Sequence, residues 1–130
     1  MAFLPVKSLD GASDPFEYLY MTDSEAVTLG ETLKMVNGRL TLASGTDDPE
    51  FIAMASAAAG TNVRIPVVRL DDEREWEVPC TGQIANTGVG TKVTIHTDGL
   101  QVTTTTTNGV FLISQTDGAN PSTVRGYFKR

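Results

Sequence analysis

The stretch GLQVTTTTTNGVFLI, residues 99–113, decides whether this chain folds as one domain or two. Five consecutive threonines resemble a low-complexity linker at first sight. Flexible linkers, however, are rich in Gly and Ser, whereas threonine is β-branched and prefers strand geometry. Apolar LQV and VFLI flank the run, and Asn108-Gly109 offers a turn. The stretch therefore reads as two strands around a turn, with the threonines passing from a strand end into an exposed loop.

Working outward, most of the chain from Glu25 onward carries period-two alternation. ETLKMVNGRLTLAS sets Leu33 and Met35 against Lys34, turns at Asn37-Gly38, and resumes with Leu40 and Leu42. Asn-Gly accepts the positive φ angles of a two-residue hairpin turn. FIAM predicts a short strand, and NVRIPVVRL another, with Pro66 pushing it toward an edge or a bulge. EWEVPC, KVTIHTDGLQVT with its Asp98-Gly99 turn, GVFLIS and STVRGYF complete the series. The Ala-rich 50–60 segment is the one place a helical turn competes with a strand and loop. Residues 1–24 lack clean periodicity, and Pro5 and Pro15 oppose helix. They read as an extended N-terminal arm with a short strand near Glu17–Met21.

A shift of 60 residues lays LGETLKMVNGRLTL on VGTKVTIHTDGLQV. Gly30 falls on Gly90, Leu33 on Val93, Met35 on Ile95, Leu42 on Val102 and Phe51 on Phe111. One residue later in phase, Val63-Arg64 falls on Val124-Arg125. The expectation is one compact all-β domain, residues 25–130, with duplicated halves near 25–70 and 85–130.

The chain has 130 residues, of which 40% are hydrophobic and 20% charged, which suits one folded domain. One cysteine, Cys80, precludes an internal disulfide. No apolar run approaches the roughly 18 residues of a membrane helix. MAFLPVKSLD is too short and polar to read as a secretory signal. The net charge is −6 and uneven: residues 1–77 hold 14 of 16 acids and 6 of 10 bases, a balance of −8, and the rest carry +2. Nucleic-acid binding needs clustered cations against phosphate, so that class is set aside.

Chemistry-bearing patterns are sparse. His96 is the sole histidine, and Cys80 has no Cys-x-x-Cys partner, so each reads as structural. The acids at Asp47-Asp48-Glu50 and at Asp71-Asp72-Glu73-Glu75 lack EF-hand spacing and read as solvated turns. GVGTK, residues 88–92, lacks phosphate-loop spacing. The expectation is a non-enzymatic protein that uses no cofactor or metal. A β domain of this kind must manage its sheet edges by closure or by another chain, which points to an assembly component.

Residues 25–70, EAVTLGETLKMVNGRLTLASGTDDPEFIAMASAAAGTNVRIPVVRL, carry a glycine-introduced hairpin, a DDPEFIAMA return strand and a valine-rich strand. In this they resemble the small head-decoration, or capsid cement, proteins of tailed bacteriophages. The resemblance implies a β-tulip or β-barrel-like fold, a homotrimer, and a place on the virion exterior at local three-fold positions. It implies the major capsid protein as partner, met by an N-terminal arm. Here the arm would span residues 1–24, with Phe3, Leu4, Pro5, Phe16, Tyr18 and Tyr20 as candidate contacts. A phage tail, baseplate or fibre accessory domain is the runner-up reading. A β carbohydrate-binding module is a third, in which Trp76 would have to be exposed.

Overall fold

Turn chemistry sets the first hairpin. Asn37 and Gly38 take φ of +51° and +78°, the left-handed pair a type I′ turn requires. They join β3 (Thr32–Val36) to β4 (Arg39–Leu42), with Leu33 opposite Leu42 and Met35 opposite Leu40. The computed structural model describes residues 2–8, 16–70 and 74–129. The acidic Asp71-Asp72-Glu73 turn lies outside the described residues.

The remaining strands are β1 (Leu4–Ser8), β2 (Glu17–Tyr20), β5 (Phe51–Ala53), β6 (Arg64–Arg69), β7 (Arg74–Pro79), β8 (Lys92–Val93), β9 (Phe111–Thr116) and β10 (Thr123–Phe128). They build two antiparallel sheets, ordered β2-β6-β5-β3-β4 and β1-β7-β10-β9-β8. The all-β expectation is met, but the sheets pack on one another and neither closes into a barrel. The first sheet curls until a parallel bridge from Met21 to Leu40 brings its end strands β2 and β4 together, and in the second a parallel Cys80–Val102 bridge links the end of β7 to the stretch that pairs with Ile95.

Residues matched at the 60-residue spacing hold matching places in the two ladders. Leu33 faces Phe51 across β3 and β5, and Val93 faces Phe111 across β8 and β9. The second hairpin is the looser copy. Beyond β8 it keeps only an Ile95–Val102 bridge, and Gly99 N–H donates to the His96 carbonyl at the turn.

Alternation sorts side chains into two cores. Met21, Leu33, Leu40, Phe51, Ala53, Ile65 and Val67 fill the curl of the first sheet. Trp76, Val78, Val93, Ile95, Phe111, Ile113, Val124 and Phe128 fill the second. Ile52 and Val68 face the other way and join the second core, so β5 is buried on both faces, as a strand sandwiched between layers must be. Two backbone contacts tie the halves: Thr32 N–H to the Gly99 carbonyl, 3.0 Å, and reciprocal bonds between Gly45 and Ile95, 2.8 and 3.1 Å.

Two readings need correction, and one open choice is decided. Pro66 does not put β6 at an edge, since β6 lies between β2 and β5. Met54 N–H donates to the Pro66 carbonyl at 2.9 Å, but the ring nitrogen cannot return the bond, and β5 ends at Ala53. The Ala-rich segment after it is a loop, pinned by a Val27–Ala57 bridge. Residues 1–24 are not a free arm in their described part. β1 pairs with β7, β2 pairs with β6, and Phe3 is fully buried against Phe111 and Phe128, ring centroids 5.6 and 5.1 Å away. Burying an aromatic ring outweighs leaving the segment extended in water.

The threonine run belongs to the domain and is not a strand. Thr103 N–H donates to the Thr94 carbonyl, Thr94 N–H to the Thr105 carbonyl, and the Thr94 and Thr103 hydroxyls lie 2.7 Å apart. Thr104 to Thr107 form an exposed loop before the turn at Asn108, whose φ is +54°.

Candidate docking surface

β2 is an edge strand, and its alternation divides its residues between two environments. Leu19 turns inward against the first core. Tyr18 and Tyr20 turn outward and are 58% and 43% exposed, next to Phe16 at 55%. Two arginines are brought to these rings by strands distant in sequence. The Arg64 guanidinium, from β6, lies 6.0 Å from the Tyr18 ring and 5.7 Å from that of Tyr20. Arg39, at the start of β4, lies 5.3 Å from the Tyr20 ring because the sheet curls β4 toward β2. Cation–π contacts at exposed sites are worth about 0.5–1 kcal/mol each.

Arg39 is further anchored by the Met21 carbonyl, Asp23 and Asn62, at 3.1, 3.3 and 2.7 Å. At the other end of β2, Glu17 makes a two-pronged pair with Arg69, both bonds 3.0 Å. The strand is thus clamped at both ends, with the exposed Tyr18 and Tyr20 rings between the clamps and Arg64 beside them. Tyr and Arg are the residues that most often dominate binding energy at protein interfaces.

The candidate contacts from the sequence separate into two groups. Phe16, Tyr18 and Tyr20 share this surface. Leu4, 49% exposed, and Pro5, also exposed, lie on β1 at the edge of the other sheet. Phe3 is core and meets no partner while the protein is folded. The arginines carry no local signal in the sequence, because their place here depends on which strands pair.

Other groups are in structural use. Asp47 accepts from Lys34 Nζ and Ser44 N–H at 3.0 and 3.2 Å, and Glu50 from Met35 N–H at 3.1 Å. Glu75 is buried and accepts from the Ser114 hydroxyl at 3.0 Å. Cys80 is buried. Trp76 is fully buried and offers no platform to a sugar. Among the described residues no three His, Cys, Asp or Glu side chains group as metal ligands, and no helix is long and apolar enough to cross a membrane. Glu31 stands apart: burial, with added repulsion from Glu25 and Asp98, pushes its carboxyl up to about 7 against the opposing Thr28 N–H contact.

No protein-family model matches the chain, and no curated protein sequence matches it.

Proposed function

We propose that this protein is a structural virion component that binds the outside of an assembled phage capsid and stabilises it by bridging major capsid protein subunits. The single observation that carries the docking half of this reading is the exposed Phe16, Tyr18 and Tyr20 at β2, with Arg64 of β6 and the half-buried Arg39 of β4 set against the tyrosine rings. The resemblance of residues 25–70 to capsid cement proteins supplies the partner. In this reading the contact is made by a rigid strand of the folded domain, since Phe3 and both N-terminal strands are committed to the sheets.

The mechanism is clamping. Each subunit contacts more than one capsid subunit, and three copies meet around a local three-fold position. Modest contacts then add through effective concentration. A ligand that binds only the assembled shell stabilises that shell by mass action.

Co-sedimentation with assembled capsids tests the proposal. Wild type pellets with shells and occupies three-fold positions in electron micrographs, while a Tyr18→Ala/Tyr20→Ala variant folds normally and stays in the supernatant. Wild-type protein that fails to pellet with shells rules the reading out.

A further inference from the structure

The arginines around β2 differ in one respect. Arg39 meets the Asp23 carboxylate at 3.3 Å, and Arg69 meets Glu17 at 3.0 Å. Arg64 is exposed and, among the described residues, meets no carboxylate. Its contacts are the Tyr18 and Tyr20 rings. Tyr20 stands opposite Arg64 across β2 and β6, and Tyr18 lies two residues along the same face. The unpaired guanidinium therefore belongs to the same patch as the two exposed rings.

This placement constrains whatever docks here. In the free protein, solvent satisfies the Arg64 N–H groups. A partner that covers Tyr18 and Tyr20 takes Arg64 out of solvent with them. A charge removed from water without a counter-charge is strongly unfavourable. The nearby acids cannot supply one. Glu17 gives both carboxylate oxygens to Arg69, and Asp23 already accepts from Arg39 and from the Asn62 N–H. The planar guanidinium carries five donors in a fork that matches a carboxylate. The missing group must come from the partner.

We propose that the Tyr18–Tyr20–Arg64 patch docks against an acidic patch on a partner protein, in which an Asp or Glu side chain takes the Arg64 fork while apolar groups beside it cover the two rings. The contact uses side chains alone. The Met21–Leu40 bridge and the Thr22 N–H bond to the Leu40 carbonyl, which occupy the backbone beside Tyr20, stay in place. The rings provide the buried area, and the central arginine fixes the register. This chain carries a net charge of −6, so the local pair selects where two acidic proteins meet and does not draw them together from a distance. A two-fold contact centred on this patch would set Arg64 against Arg64 of a second copy, which the same desolvation cost opposes. The inference rests on this patch being the docking surface, and does not require the partner to be a capsid.

The test uses the full chain, isotope-labelled, with a blocked phenylalanine–glutamate dipeptide as probe. Its phenylalanine–glutamine counterpart, of the same shape and without the charge, serves as control. Titration shifts the Arg64 Nε–H and the Tyr18 and Tyr20 ring signals, and the glutamate form binds about tenfold more tightly. Arg64→Gln makes the two dipeptides equal. Arg64→Lys keeps the charge without the fork, and retains only part of the preference. Equal binding of the two dipeptides to wild type, or no shift at tens of millimolar, overturns the proposal. So does inorganic phosphate that displaces the glutamate form at equal concentration, which makes Arg64 a general anion site. Shifts that grow with protein concentration alone make a second copy the occupant and overturn it too. With capsids, Arg64→Glu stays in the supernatant. Pelleting of Arg64→Glu on a par with wild type removes the acidic patch and leaves decoration standing. A preference for the glutamate form in a wild type that never pellets does the reverse.

Discussion

Phe3→Ala separates a core N-terminus from a free arm more sharply than any truncation. Removing the first 20 residues would delete two strands, β1 and β2, and report only unfolding. Phe3 has no exposed surface and packs its ring against Phe111 at 71° and Phe128 at 39°, in a cluster that includes Trp76. A buried Phe→Ala change costs about 3–5 kcal/mol, and loss of two ring contacts places it toward the middle or top of that range. The expected loss is about 4 kcal/mol, against a total on the order of 6–20 kcal/mol for a domain of this length. Urea unfolding followed by Trp76 fluorescence reads it directly, because Trp76 is the only tryptophan and shares the cluster. With a urea slope of about 2 kcal/mol per molar, the midpoint falls by about 2 M. Phe16→Ala, on the exposed face, shifts stability by less than about 0.5 kcal/mol. A Phe3→Ala loss below about 1 kcal/mol at unchanged slope refutes the reasoning and returns residues 1–8 to an arm.

Three further outcomes follow from the packing. Glu31 has its carboxyl raised from 4.5 to about 7, so its contribution is fully present below about pH 4.5 and is lost as pH rises through about 7. At about 1.4 kcal/mol per unit the loss is at most about 3 kcal/mol; Glu31→Gln should flatten the fall in melting temperature between about pH 5 and 8, and an unaltered slope contradicts the assignment. A Cβ at position 126 would fall on the Leu112 carbonyl oxygen and crowd the Phe111 ring, next to the register shift between Arg125 and Gly126; Gly126→Ala is expected to cost about 2–3 kcal/mol in denaturant midpoint, and a neutral result means β9 and β10 are packed less closely. Thr103→Val removes the hydroxyl that meets Thr94 and accepts from Thr105 N–H, a loss of about 1 kcal/mol, whereas Thr106→Ser at an exposed loop position changes stability by less than about 0.5 kcal/mol. Equal effects at the two threonines would contradict the loop structure.

Local chemistry made much of the fold legible. Asn37-Gly38 announced its hairpin because few residues accept two successive positive φ angles. Alternation marked the strands because each must divide its side chains between core and exterior, and the 60-residue spacing exposed the matched Leu33–Phe51 and Val93–Phe111 pairs. Tyr18 and Tyr20 were legible only as candidate contacts in an aperiodic segment, and their exposure on β2 came with the structure. What the sequence could not determine was which surfaces meet. Phe3 read as an arm residue because nothing local shows the pocket between Phe111 and Phe128, more than a hundred residues away. Pro66 read as an edge signal because its missing N–H could be tolerated inside the sheet only if a neighbouring strand ended beside it, as β5 does. Arg39 and Arg64 joined the tyrosines only when the first sheet curled. Patterning is written residue by residue, since it depends on the chain's own geometry; pairing and curl depend on long-range burial, which only the assembled tertiary structure decides.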